Sequence, residues 1–545
     1  MTPPRFVIRK FIKPQYAIGL VLIILSIRMI AFTQQFAINM MFWDQWDFYN
    51  PLFAEQGPIA AFRYQHGVHR QGVGGILIYI TAHLSGWQGE WDSYLVAASF
   101  IIAAILAVIL KLRFVGYLNW FDLIIPYLFL SLNQYETLVI VPNLAPSALP
   151  LLFIILYGII LTFEKPVTQA VSLLFVNFCL LYTGYSFFLA FITPILFLYR
   201  TLTPEFAGFH KTTRPIWLSS FVLSVLSLGS FFVGWVYSPA IDCAALSHPN
   251  PFDYLLFVGL QVMQGFAIVP MAPTLGIANG LAALIGLVMV FVAIAVAARA
   301  WLTTHGVIIS SFIGFSLLYV ILTAVGRICL SVTVQPLSSR YSTLILPLIL
   351  GLYMWAAKRN ARSHMVVGIV FCSLILLSNT PPFYRDPAMD STTFHTRRAS
   401  WKSCYLDSLD PYSCDLVAGY SMYGSTPHIE QRLRYLEKNK LNLFQDMNND
   451  IIITSPTDES AIMGNEVLLA GILDPEDFDS YHVQWGEGDF PEKWHWLSGP
   501  HLSSVRNEVI TTWDTSELPA GFYTVRVTVF LGNGDQKVAK VRLIR

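Results

Sequence analysis

Hydrophobic residues come in long blocks up to about residue 380 of this chain and in short alternating runs beyond about residue 450. A helix needs roughly 20 mostly apolar residues to cross the hydrocarbon core of a bilayer. Candidate blocks are 16–34, 92–110, 114–132, 145–162, 216–237, 274–298, 306–324, 341–357 and 365–380. The stretch 167–199 is too long for one crossing and is interrupted by Tyr182-Thr183-Gly184-Tyr185-Ser186, so it predicts a tight hairpin of two. Residues 252–298 sit between Asp242 and Asp253 on one side and Arg299 on the other. An odd number of crossings fits there, with the first half lying flat or re-entering. The pattern predicts about 11 membrane helices in residues 1–380.

Residues 381–448 are polar and mixed, with amphipathic helices expected at 392–403 and 429–440. From 449 to 545 the period shortens. Ile451-Ile452-Ile453-Thr454, Val467-Leu468-Leu469, Tyr481-His482-Val483-Gln484-Trp485, Val509-Ile510-Thr511-Thr512-Trp513 and the run 523–529 are separated by Gly, Pro, Asp and Ser. Such spacing predicts an all-β sandwich. The fold class is thus an α-helical polytopic membrane protein, a juxtamembrane region and a terminal β domain.

Composition agrees. Of 545 residues, 55% are hydrophobic and 12% charged, about half the charge of a soluble domain. Lys+Arg and Asp+Glu are both 34. These values exclude a soluble enzyme, a disordered chain and a nucleic-acid binder. Charge also sets orientation. With this topology 14 Lys and Arg, from Arg5 to Arg362, collect on one side, and only Arg63, Arg70, Arg327 and Arg340 on the other. The positive-inside rule then places the N-terminus in the cytoplasm and the C-terminal domain outside. Arg5, Arg9, Lys10 and Lys13 precede an apolar stretch with no small-residue cleavage site, which predicts a first helix that is retained. Cys404 and Cys414 lie in the segment expected outside, where disulfides persist, and are predicted to be bonded. Cys179 and Cys372 fall within apolar helices, and Cys243 and Cys329 show no partner in sequence.

The chemistry concentrates in the outer loops. Trp43-Asp44-Gln45-Trp46-Asp47 puts two carboxylates three apart, on one face if helical. Asp44 or Asp47 can serve as a general base, together they can hold a divalent Mg or Mn ion, or they are interfacial anchors and a helix cap. His66, His69 and Arg70 follow; an Arg beside two imidazoles suits phosphate oxygens, and a solvated turn is the alternative. Glu136 falls in the next outer loop. Arg327 and Arg340, with Tyr341, bracket a late outer segment. Basic residues on that side call for compensation, by an anionic lipid phosphate or by pairing with Asp44, Asp47 or Glu136.

Two resemblances follow from these residues. The run 512–526, Thr-Trp-Asp-Thr-Ser-Glu-Leu-Pro-Ala-Gly-Phe-Tyr-Thr-Val-Arg, with Ser455-Pro456 opening the domain, resembles bacterial extracellular immunoglobulin-like modules. Asp44-Gln45-Trp46 after the first helix, residues 66–70 before the second, and Gly326-Arg327 with Ser339-Arg340-Tyr341 resemble bacterial proteins of the GT-C class of polytopic glycosyltransferases. Cys404, Cys414 and Leu441-Asn442-Leu443-Phe444 fit the same pattern. The resemblance implies transfer of a monosaccharide from a polyprenyl-phosphate donor to a cell-envelope glycan, lipid or protein, at the outer face of the cytoplasmic membrane. It implies Asp44, or else Asp47, as base and the late arginines as phosphate ligands, with His66, His69, Arg70, Glu136 and Tyr341 in substrate binding. Two other readings stay open: a non-enzymatic partner that translocates or polymerises lipid-linked saccharides, and an anchored surface-binding protein that uses its terminal domain.

Overall fold

The computed structural model describes residues 13–203, 211–237, 248–270, 276–301, 306–408, 410–424, 426–446, 450–489, 491, 493–534 and 536–545. Arg5, Arg9, Lys10, Asp242 and Cys243 lie outside them. The chain divides into two compact units, Met1–His395 and Thr396–Arg545.

The first unit is helical. Among the described residues eight helices are long and apolar enough to cross a bilayer: Pro14–Phe36, Glu90–Val115, Gly184–Leu202, Arg214–Phe231, Gly276–Trp301, Gly306–Arg327, Ser339–Arg359 and Ala361–Ser378. Three shorter apolar helices, Gly72–Ser85, Leu144–Ile160 and Pro166–Tyr182, accompany them. This makes the unit membrane-embedded. The stretch 167–199 is two helices, joined at Thr183 and a short turn, Gly184–Ser186. Pro251–Gln264 has 14 residues, short of membrane length.

One expected helix is absent. Residues 114–132 break where Gly116 ends the preceding helix at φ +98 and Asn119 caps a new turn with its side chain. A 3-10 turn, Trp120–Leu123, and the six-residue helix Ile124–Phe129 follow. The segment is broken and not one continuous helix, yet its ends reach opposite ends of the helix Ser339–Arg359, where Asp122 accepts from the Tyr353 hydroxyl and the Glu136 amide donates to the Ser339 hydroxyl. The chain continues through π-helical turns at Glu136–Ile140 and Leu144–Ala148. Irregular backbone is tolerated at membrane depth only where protein covers it or a cavity borders it, and both conditions recur below.

The second unit starts with helical segments and ends in β structure. Cys404 and Cys414 are disulfide-bonded, with Cα atoms 5.6 Å apart. Asp410 caps the helix Pro411–Ala418, which contains Cys414, accepting from the Tyr412 and Ser413 amides. Cys329, in the first unit, is disulfide-bonded as well, and Cys179 and Cys372 are free.

The strands are β1 (Gln65–His66) and β2 (His69–Arg70) in the first unit, then β3 (Ile451–Ser455), β4 (Ser460–Ala461), β5 (Glu466–Leu473), β6 (Phe478–Glu487), β7 (His495–His501), β8 (Val505–Asp514), β9 (Phe522–Leu531) and β10 (Gln536–Ile544). A five-stranded sheet has the order β4-β10-β9-β6-β7 and a three-stranded sheet the order β3-β5-β8. Alternate residues of both sheets meet in one apolar core: Leu469 and Trp513 from the smaller sheet pack with Val483, Val525 and Val527 from the larger. At the entry to β9 the Tyr523 hydroxyl donates to the Pro519 carbonyl, 2.7 Å away.

Candidate functional site

The site is built in the first unit from loops between helices. β1 and β2 form a hairpin that pairs His66 with His69 and Gln65 with Arg70. Directly opposed residues share a face and successive ones alternate. The two imidazoles are therefore neighbours, with ring centroids 5.7 Å apart, and Arg70 is on the other face. This corrects the expected role of Arg70. Its guanidinium donates to the carbonyls of Phe231 and Val233 at 2.8 Å and of Arg63 at 2.6 Å, so it ties the hairpin to the end of the helix Arg214–Phe231.

Behind the hairpin the backbone fits closely. Gly72 and Gly184 both have positive φ. A Cβ at Gly72 would strike the Tyr182 carbonyl, and one at Gly184 the Ala145 carbonyl. The glycines bring the hairpin and the Gly184–Ser186 turn against the irregular segment 143–148.

Asp44 opens a five-residue helix, Asp44–Phe48, whose N-cap is Trp43 without a side-chain cap bond. Trp43 has φ +48, a costly conformation for a bulky residue, so the backbone is strained directly before Asp44. Strain of this kind persists only where surroundings over-determine it. Here Gln45 is the anchor. Its Nε2 donates to the buried Asp92 carboxylate at 2.7 Å and to the Gly89 carbonyl at 3.1 Å, and the Tyr49 hydroxyl reaches Asp92 at 3.3 Å. Burial, with Asp92 adjacent, raises the Tyr49 pKa well above its ordinary value.

Arg327 is the last residue of its helix and Arg340 sits in the 3-10 turn Ser339–Tyr341. That turn is held by Glu136. Its carboxylate accepts from the Ser338 hydroxyl and from the Ser339 amide at 3.1 Å, and its own amide donates to the Ser339 hydroxyl at 3.0 Å. Arg340 Nε lies 3.9 Å from Glu136 Oε2.

These elements converge. Asp44, His66, His69, Arg327, Arg340 and Tyr341 line one cavity. Asp47, on the same short helix as Asp44, is not among its wall residues, and neither is Arg70 or Glu136. Glu136 acts on the site through the turn that carries Arg340 and Tyr341. Four polar wall residues were not singled out from sequence: Asn143, Ser147, Tyr185 and Tyr319. Tyr185 had a signal, since it interrupts the apolar stretch 167–199. Ser147 had none, because only the π-helical turn brings it to the wall.

Polarity divides this wall. Arg327 and Arg340 carry positive charge, and Arg327 pairs with the Tyr185 hydroxyl. His69 is 2% exposed, and burial, helped by His66, pulls its pKa down to about 3, so it is neutral. Next to the cavity lies an apolar cleft lined by Phe187, Phe191, Phe231, Phe232 and Trp235. Tyr185, Tyr319, Arg327 and Tyr341 belong to both walls. Charged and apolar compartments thus adjoin along these shared residues, Arg327 among them.

No group of three or more His, Cys, Asp or Glu suited to an ion occurs among the described residues. Of the two carboxylates considered for a Mg or Mn ion, Asp44 lines the wall and Asp47 does not, so Asp44 is the residue that would hold such an ion together with substrate phosphate and water. Comparisons of the chain with protein-family models, curated proteins and solved structures give no match.

Proposed function

We propose that the first unit is a GT-C-like integral membrane glycosyltransferase of the bacterial cytoplasmic membrane. It moves a monosaccharide from a polyprenyl-phosphate carrier to a glycan, lipid or protein of the cell envelope, at the outer face. The observation that carries the reading is the joining of a carboxylate, Asp44, and two arginines, Arg327 and Arg340, in one cavity that adjoins an apolar cleft. A polyprenyl-phosphate sugar has the same three parts: an apolar chain, a phosphate and a polar sugar.

In this reading Asp44 takes the proton of the acceptor hydroxyl while its oxygen bonds to the anomeric carbon. The anomeric carbon–phosphate oxygen bond breaks, and its electron pair leaves with polyprenyl phosphate, whose charge Arg327 and Arg340 neutralise. The preference for Asp44 over Asp47 rests on the wall itself.

The second unit supports an immunoglobulin-like assignment. Its sheets follow the A-B-E and G-F-C strand order of that sandwich. The Tyr523–Pro519 bond corresponds to the tyrosine corner at the start of strand F. In this reading the unit lies outside the cell, as the positive-inside count favours, and the first unit has about 11 crossings.

The test is transfer from a panel of polyprenyl-phosphate sugars by purified protein in lipid, with Asp44→Asn and Asp47→Asn alongside. Asp44→Asn is expected to lose about a thousandfold in rate while keeping donor affinity, and Asp47→Asn to lose little. Donor binding without transfer in wild type would reassign the cavity to a non-enzymatic partner that handles lipid-linked saccharides.

A further inference from the structure

The cavity wall contains polar atoms that the protein leaves unsatisfied. His69 Nδ1 is 2.5 Å from the His66 carbonyl. A carbonyl only accepts, so Nδ1 carries the proton and Nε2 is left with a lone pair. That Nε2 is buried and has no hydrogen-bond partner among the described residues. Ser147, 5% exposed in the same wall, has an Oγ in the same condition. Asn143 lines the cavity too. Leaving a buried polar group unpaired costs about 1–3 kcal/mol. Native proteins keep few such groups, and those they keep ask for a reason.

A lone pair at His69 Nε2 repels phosphate and carboxylate oxygens and attracts an O–H donor. The arginines of the wall attract the phosphate. We infer that His69, Ser147 and Asn143 form the subsite for the ring hydroxyls of an uncharged sugar, with His69 Nε2 accepting from one particular hydroxyl and the phosphate held apart at Arg327 and Arg340. This inference rests on the donor reading given above and names its substrate class: a neutral, hydroxylated sugar, not an acidic one. His69 is then a binding residue whose selectivity comes from a fixed tautomer, not from charge.

The experiment compares the affinity of purified protein in lipid nanodiscs for polyprenyl-phosphate hexose, for its monodeoxy analogues and for bare polyprenyl phosphate, at pH 5.5 to 8. Wild type is expected to bind one monodeoxy analogue about tenfold or more weakly than the parent sugar. His69→Asn keeps a donor near the His66 carbonyl and removes the acceptor; His69→Gln keeps an acceptor. His69→Asn is expected to lose the distinction between parent and that analogue, with His69→Gln restoring part of it. The distinction should be flat across this pH range, because His69 is uncharged throughout it.

Equal weakening of the hexose and the bare carrier by His69→Asn would overturn the hydroxyl subsite alone. A preference that titrates near pH 6.5, the ordinary value for histidine, would overturn it too. Failure of wild type to bind bare polyprenyl phosphate would instead remove the donor reading, and this inference with it.

Discussion

Two clusters of polar and charged side chains lie inside the helical unit, and they differ in whether they are complete. In one, Lys111 and Asp122 are fully buried and 2.6 Å apart. Lys111 also donates to the Tyr117 carbonyl and lies over its ring. Asp122 accepts from the Asn119 amide at 2.6 Å and from the Tyr353 hydroxyl at 2.8 Å. His364 closes the set, with Nε2 2.8 Å from the Tyr353 hydroxyl and Nδ1 3.1 Å from Asn119 Nδ2. Every group in that cluster has a partner from its own chain. In the other, around Asp44, Arg340 and His69, the nearest carboxylate to Arg340 Nε is 3.9 Å away, and His69 Nε2 and Ser147 Oγ have no partner among the described residues. Burial and charge alone do not mark a site. What distinguishes the second cluster is unfilled hydrogen-bonding capacity around a space.

The contrast predicts opposite phenotypes. Asp44→Asn, in the open cluster, should remove about 4 kcal/mol of transition-state stabilisation, the thousandfold given above, and leave thermal unfolding almost unchanged. Asp122→Asn, in the closed cluster, leaves Lys111 buried without its counter-charge. It should cost roughly 3 kcal/mol or more of stability, read as a lowered unfolding midpoint in detergent, with transfer per folded molecule retained. If Asp122→Asn spared stability and removed transfer, the division into structural and functional clusters would fail. Arg340→Gln comes next. Losing a charge-assisted contact to phosphate should weaken donor binding by roughly 10- to 100-fold, measurable with bare polyprenyl phosphate, and leave the unfolding midpoint within a degree or two.

How much of this was legible in the sequence follows from the same physics. Length and hydropathy show a membrane unit because the bilayer imposes one simple requirement, and they fail to show where an apolar block breaks into short turns. Residues 114–132 illustrate the failure, since Gly116 and the Asn119 cap break the helix without lowering its apolar content. Asp44, Arg327 and Arg340 were legible because charge on the poorly charged side of a membrane protein is costly. Arg70 met the same criterion and was misread. Its fate depends on hairpin register, which places it opposite Gln65 and away from the imidazoles, and the Gly67-Val68 turn between two His residues was the available clue. Ser147 and Asn143 reach the cavity through π-helical turns, which carry no recognisable pattern of residues.

The finest test concerns Glu136, where the open cluster is partly closed. Glu136 was expected among the substrate ligands, yet it is not in the wall and its carboxylate serves the Ser338–Ser339 turn. Arg340 is 38% exposed at its side chain, so its ion pair with Glu136 is screened and is worth at most about 1 kcal/mol. Glu136→Gln keeps an oxygen for the Ser339 amide and removes the negative charge that competes with a phosphate for Arg340. Donor affinity should then rise about two- to fivefold. That gain should vanish when Glu136→Gln is combined with Arg340→Gln, as a double-mutant cycle would reveal. A loss of affinity as large as that of Arg340→Gln would instead put Glu136 among the groups that touch the donor, and the boundary drawn between the wall and its supports would have to move outward.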